Sequence, residues 1–216
     1  MAESVSAEGS RSEAKRELML ERALEAFVAN GYVGTSTDQL AAAASVSKQT
    51  LYKAFGDKEG VFTALIRAEC DRVHNPFLPL VERMAEVGTA EEAVRALAER
   101  FARSIMNPRV QQLRRLVIAE ATRFPQLGLL YWERGFLPML DAVGRCLSVL
   151  DVRGLLDVPE PVLAANHFAG MLLWIPSNQT MFAAATRPVS EAELAPALDA
   201  GVEAFLRAYR RDAVVG

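Results

Sequence analysis

Two short helical patterns separated by three residues constrain this chain more than any other feature. Asp38 to Ala44 carries Leu40 and a run of four alanines, and Lys48 to Phe55 follows after only Ser45-Val46-Ser47. So brief a connection makes the second helix cross the first closely, and the alanine run offers the small surface that such a crossing needs. Val46 is the apolar plug expected in the turn, with Leu40 and Leu51 directed towards Phe27 and Phe55 in a miniature core. Thr35-Ser36-Thr37 supplies hydroxyl caps for the first helix and Ser47 a cap for the second, while Gly56-Asp57 ends the hairpin and caps a further helix at Lys58.

The rest of the chain keeps the same period. From an N-cap at Ser12, the positions Leu20, Ala23, Leu24, Phe27 and Val28 form one apolar stripe that stops at Gly31, a suitable C-terminal cap. Residues 1–12 show no periodicity and are expected to be a disordered tail. Beyond Lys58 the helices are long. Pro76 and Pro79 divide one, Thr89 with Glu92 and Asn107 with Pro108 open two more, and Pro125 separates another pair. Asp151 to Pro161 reads as a linker, and Ser190 with Glu193 starts a final helix striped by Leu194, Leu198, Val202, Phe205 and Tyr209. No alternating strand pattern appears, and 35 alanines against 13 glycines and 10 prolines favour helix, so the fold class is all-α.

Charge and cysteine content narrow the function classes. With 24 Lys and Arg against 27 Asp and Glu, the net charge of −3 gives no bulk attraction to nucleic acid or to an anionic membrane, so any such contact is local. Cys70 and Cys146 suit reduced thiols in a cytoplasmic protein, and no secretory signal opens the chain. Pro161 to Thr186 lacks charge over 26 positions, the length of a membrane span. Asn166, His167, Ser177, Asn178, Gln179 and Thr180 would be costly in hydrocarbon, so this segment is read as a helix buried in protein, with no membrane partner.

The outward face of the second short helix presents Lys48, Gln49, Thr50, Tyr52 and Lys53, which pairs cations for phosphates with amide and hydroxyl groups for base edges. Basic character concentrates there, with Lys48, Lys53 and Lys58 against Asp57 alone between Ser47 and Lys58. A solvated polar face on an ordinary helical hairpin has the same composition, so spacing alone leaves both readings open.

Residues Gly34 to Ala41, Ala44 to Ser47 and Thr50 to Phe55 with Lys58-Glu59 resemble the amino-terminal DNA-binding domain of the TetR (tetracycline repressor) family over about Lys15 to Glu69. Ser45 departs from that pattern, which usually has glycine in the turn, and serine is expected to take a less comfortable backbone angle there. The resemblance implies that Thr37 and Lys58 sit at phosphate-contacting helix ends, with Lys48, Gln49, Thr50 and Tyr52 on a recognition helix. Residues 13–62 are then the helix-turn-helix domain, and 63–216 a larger helical domain for ligand binding and dimerisation. Arg115 to Ala121, Arg123-Phe124-Pro125 and Tyr131 to Gly135 further resemble the AefR-like subgroup. The resemblance also implies that the final two helices form a four-helix interface between subunits, to which Phe168, Met171, Leu172, Ile175, Leu198, Val202 and Phe205 are assigned.

A ligand cavity in such a domain would be mainly apolar, and Phe77, Phe101, Met106, Leu113, Val117, Phe124, Trp132, Phe136, Met139, Met171 and Trp174 are the candidates to line it, each of them equally suited to plain core. Their methionine and aromatic content fits a hydrophobic effector. Ser45-Val46-Ser47-Lys48 has the spacing of an acylating serine motif but lies in the hairpin turn. His74 near Asp71 and Cys70 lacks a second pair of ligands, so no metal, cofactor or catalytic role is expected. The whole reads as a homodimeric regulator, a repressor that leaves a near-palindromic double-stranded operator when its effector binds. The rivals are an activator of the same fold, and a helical enzyme or carrier that would show turnover and no salt-sensitive DNA affinity.

Overall fold

The computed structural model describes residues 2–183 and 187–211, with side chains from residue 12 onward. Helices follow one another as α1 (Ala2–Gly34), α2 (Thr37–Ala43), α3 (Lys48–Phe55), α4 (Lys58–His74), α5 (Leu78–Arg83), α6 (Ala90–Ile105), α7 (Pro108–Glu120), α8 (Pro125–Tyr131), α9 (Leu137–Val152), α10 (Pro161–Phe182) and α11 (Glu191–Tyr209). A 3-10 turn, Asn75–Phe77, joins α4 to α5, and a π-helical segment, Trp132–Phe136, joins α8 to α9. Among the described residues no strand forms, and extended pairing is limited to an isolated bridge between Leu156 and Arg210. No described helix is long and apolar enough to cross a membrane. Residues 2–12, expected as a tail, instead continue α1 towards its start.

Local chemistry explains several helix boundaries. Gly31 breaks helical geometry inside α1 at φ 71° and ψ 165°, a backbone region essentially confined to glycine. Ser36 and Gln39 close a full capping box at α2, and Ser190 and Glu193 close another at α11. The Thr89 hydroxyl accepts from the Glu92 amide at 3.2 Å to open α6. Asn107 Oδ1 accepts from the Arg109 amide at 3.0 Å beside Pro108 at the head of α7.

The chain divides into two compact units. The first comprises the residues up to Glu69 together with Gln112–Tyr131. Phe27, Leu40, Phe62, Leu65 and Ile66 are fully enclosed in its core. Four rings gather there: Phe62 meets Phe27 edge-on at 5.0 Å, and Tyr32 lies 4.9 Å from both Phe62 and Phe124.

The second unit takes in Cys70–Gln111 and the chain from Trp132 onward. Its core is built from α6, α9, α10 and α11, with Phe77, Leu97, Phe101, Val143, Leu147, Phe168 and Phe205 inside. Phe168 stands edge-on to Phe101 at 5.8 Å and to Phe205 at 5.1 Å. The helices α10 and α11 cross at Gly201, where a Cβ would come within 2.8 Å of Leu172 Cδ2 and of the Met171 carbonyl oxygen. Only glycine permits that approach.

Candidate functional site

The α2–α3 hairpin is held by its caps and a small core. Gln39 Oε1 accepts from the Ser36 amide at 2.7 Å, and Ser36 Oγ accepts from the Gln39 amide at 3.2 Å. Leu40, Ala41 and Leu51 are buried, and Val46 is half-buried in the turn. The turn closes through the Ser45 amide on the Ala42 carbonyl and the Val46 amide on the Ala41 carbonyl, both at 3.0 Å. Ser45 has φ 54°, the left-handed value that its place in the motif demanded. Ser47 Oγ caps α3 by accepting from the Thr50 amide at 3.1 Å and lies 2.8 Å from Thr50 Oγ1.

On this scaffold the side chains of Lys48, Gln49, Tyr52 and Lys53 face solvent, while Thr50 and Thr37 are half-buried. One face of α3 is therefore available to a partner, with its two lysines at its start and in its last turn. Two of the expected phosphate contacts are already engaged within the protein. Lys48 Nζ pairs with Asp38 Oδ1 at 2.9 Å, and this carboxylate raises the lysine pKa. Lys58 Nζ donates to the Tyr32 carbonyl at 2.9 Å and the Val33 carbonyl at 3.4 Å, and stands 4.7 Å from the centre of the Tyr32 ring. It thus ties the start of α4 to the end of α1, satisfying carbonyls that a helix terminus leaves open. Burial, with Glu59, Asp57 and Glu120 nearby, pushes the Tyr32 phenol up to about 12.

The apolar residues expected around a ligand fall into separate groups. Phe77, Phe101 and Met139 lie in the core of the second unit, and Met106 packs against it half-buried. Leu113 and Val117 are buried in the stretch of α7 that belongs to the first unit, as does Phe124, which packs on Tyr32. Trp132 and Phe136 stack on each other at 4.6 Å at the ends of the π-helical segment, both exposed. Met171 and Trp174 are exposed on α10.

Of the residues expected at a subunit interface, Phe168, Leu172, Val202 and Phe205 are enclosed in the chain's own core, and Leu198 packs half-buried against it. Met171 and Ile175 remain on the surface, joined by Val162, Leu163, Trp174 and Phe182. The uncharged sequence of α10 thus serves two faces: one packs on α9 and α11, and the other is an apolar stripe open to solvent. His167 also lies on the open side, with Nδ1 2.6 Å from the Tyr209 hydroxyl.

Sequence reasoning passed over the polar residues inside the second unit. Gln111 is buried, with Nε2 donating to the Ile105 carbonyl and Oε1 accepting from Thr180 Oγ1 at 2.8 Å. His74, Arg100 and Ser104 each bury a polar atom. Ser104 sat in view on the apolar stripe of α6, one turn beyond Arg100 and among Leu97, Phe101 and Ala102.

Comparison with known proteins agrees at the level of the whole chain. Residues 19–65 match the family of bacterial regulatory proteins named tetR, and residues 92–211 match the C-terminal domain of AefR-like transcriptional repressors. A solved TetR-family transcriptional regulator from Mesorhizobium loti MAFF303099 is 40% identical with a TM-score of 0.85, over 93% of this chain and 99% of its own. The flavonoid-responsive regulator FrrA is 26% identical with a TM-score of 0.71, over 93% of this chain and 100% of its own. The HTH-type transcriptional regulator YezE of Bacillus subtilis (strain 168) is 27% identical over 100 residues, a match spanning 46% of this chain and 50% of that protein.

Proposed function

Since the chain belongs to the TetR family of DNA-binding transcriptional regulators, we propose that it works as a homodimeric repressor whose operator is near-palindromic and whose release is triggered by a small, mainly hydrophobic effector. It acts by binding and not by turnover, in the cytoplasm where its DNA lies. The observation that carries the reading is the exposed face of α3, rigidly capped at Ser47 and bearing Lys48, Gln49, Tyr52 and Lys53. Lysines at both ends of the helix suit phosphates, and the Gln49 amide suits an adenine edge in the major groove. DNA binding is assigned to residues 13–62, and effector binding and dimerisation to 63–216.

Dimerisation rests on the open stripe of α10. Trp174 and Ile175 are each 68% exposed, and with Met171, Leu163 and Phe182 they form an apolar surface that a second copy would cover. A two-fold pair places two recognition helices in successive major grooves, about 34 Å apart. Effector binding then favours a conformer in which that spacing is lost. FrrA is responsive to flavonoids, and this relative supports an effector with an aromatic body.

Fluorescence anisotropy against DNA selected from a random pool tests the reading. Affinity is expected to fall steeply with salt as lysines displace condensed counterions. Gln49→Ala is expected to cost about 1–3 kcal/mol and to relax one base preference per half-site. Affinity that does not change between low and high salt overturns the proposal.

A further inference from the structure

In the second unit, His74 at Nδ1, Arg100 at Nε and Ser104 at Oγ each bury a polar atom that has no hydrogen-bond partner among the described residues. Buried polar atoms are nearly always paired in native proteins, so an unpaired group calls for an explanation. Arg100 is the most demanding, because it makes no ion pair or hydrogen bond with any described residue. Its guanidinium carbon instead lies 5.7 Å from the centre of the Phe77 ring. Burial and the neighbouring cation Arg103 hold its pKa below the ordinary guanidinium value, and at neutral pH it keeps its charge.

The three residues lie on adjoining elements. Arg100 and Ser104 are one turn apart on α6, with Ser104 only 6% exposed. His74 and Phe77 are three residues apart on helical backbone that runs from α4 into the 3-10 turn, so they share a side of it. The contact between Phe77 and Arg100 joins the two elements. The enclosed rings of Phe77 and Phe101 and the side chain of Leu97 supply apolar surroundings.

We infer that Arg100, with Ser104 beside it, is the anchor for an anionic head group on the effector, a carboxylate foremost, while the apolar body of the same molecule rests on the Phe77 side. This rests on the reading of the chain as an effector-released repressor and adds the charge of the ligand to it. The chemistry fits both partners. Nε–H and a terminal N–H of one guanidinium form a two-pronged donor that matches a carboxylate, and the Ser104 hydroxyl donates to a remaining lone pair. His74 Nδ1 donates or accepts according to its tautomer and serves a second polar group.

The test uses the full chain with two fluorescent probes of nearly the same aromatic body: anilinonaphthalene sulfonate, which is anionic, and N-phenylnaphthylamine, which is not. Wild type is expected to bind the anion more tightly. Arg100→Met is expected to weaken the anion by about tenfold or more and to leave the neutral probe within about twofold, the loss of a charge-assisted contact. Ser104→Ala is expected to weaken the anion by a smaller factor while raising the melting temperature, because it removes an unpaired buried hydroxyl. A purely structural Ser104 gives the opposite sign of thermal shift, and this variant keeps the test alive if Arg100→Met does not fold. Equal anion affinity in wild type and both variants overturns the site. Anion binding that depends on Arg100 but leaves operator affinity unchanged keeps the site and overturns its assignment to the effector.

Discussion

Ser45 holds φ 54° in the tightest part of the hairpin, where a Cβ costs roughly 1–2 kcal/mol relative to glycine. Ser45→Gly is therefore expected to raise the melting temperature by roughly 2–8 °C, read by calorimetry, with operator affinity kept. An unchanged or lower value means that the left-handed backbone carries no strain here. Asp38 makes a second argument at this scale. Its carboxylate is 2.9 Å from Lys48 Nζ, so in the proposed DNA complex it would compete with phosphate for that cation. Asp38→Asn is expected to strengthen binding to every sequence alike and to steepen the salt dependence by about 0.9 in log–log slope for each phosphate newly neutralised. A weaker complex would show that the ion pair positions Lys48 instead of diverting it. The strain at Ser45 was legible in the sequence because it follows from one position in one turn. The Asp38–Lys48 pair was not, since it joins two helices whose crossing had to be known first.

Helix boundaries were legible wherever a cap is made of neighbours in sequence. Ser47, and Ser190 with Glu193, start their helices as their side chains dictate, and Gly31 kinks α1 where the lack of a side chain permits it. The phase of α10 was hidden, because a helix that is apolar all round has no preferred inward side. Only packing against α9 and α11 shows that Phe168 and Leu172 turn inward while Met171 and Ile175 do not. The intramolecular contacts of Lys58 were hidden for a related reason: the Tyr32 and Val33 carbonyls lie 26 and 25 residues back. One element junction yields a sharp prediction. A Cβ at Gly60 would stand 1.8 Å from the Phe55 carbonyl oxygen, which is backbone and cannot swing aside. Gly60→Ala must therefore separate the end of α3 from the start of α4. It is expected to cost roughly 3 kcal/mol in thermal or urea unfolding and to weaken operator binding with it. Wild-type stability in this variant would mean that the junction is looser than the geometry shows.

For the whole molecule, the subunit interface and the effector response are the quantities to measure. Trp174→Glu and Ile175→Glu change exposed residues, so the subunit is expected to stay folded, sediment as a monomer and bind its operator at least tenfold more weakly, since paired half-sites act through a high effective concentration. The same change at Phe168 or Phe205 buries a charge in the core and unfolds the chain. A wild-type protein that sediments at 23.6 kDa at micromolar concentration overturns the dimer. To move a repressor from 99% competent to 99% released, its effector must prefer the released state by about 5.5 kcal/mol, more than burial of one apolar side chain supplies. The ring cluster around Tyr32 bears on how such proteins are recombined. Phe124, far along the chain, closes a wall of the same aromatic core that Lys58 caps, and Gln126 reaches Glu59 at 3.3 Å. A chimera that transplants only residues 13–62 would leave that wall open to water, so the portable cassette for engineering a new sensor is discontinuous and has to include 112–131.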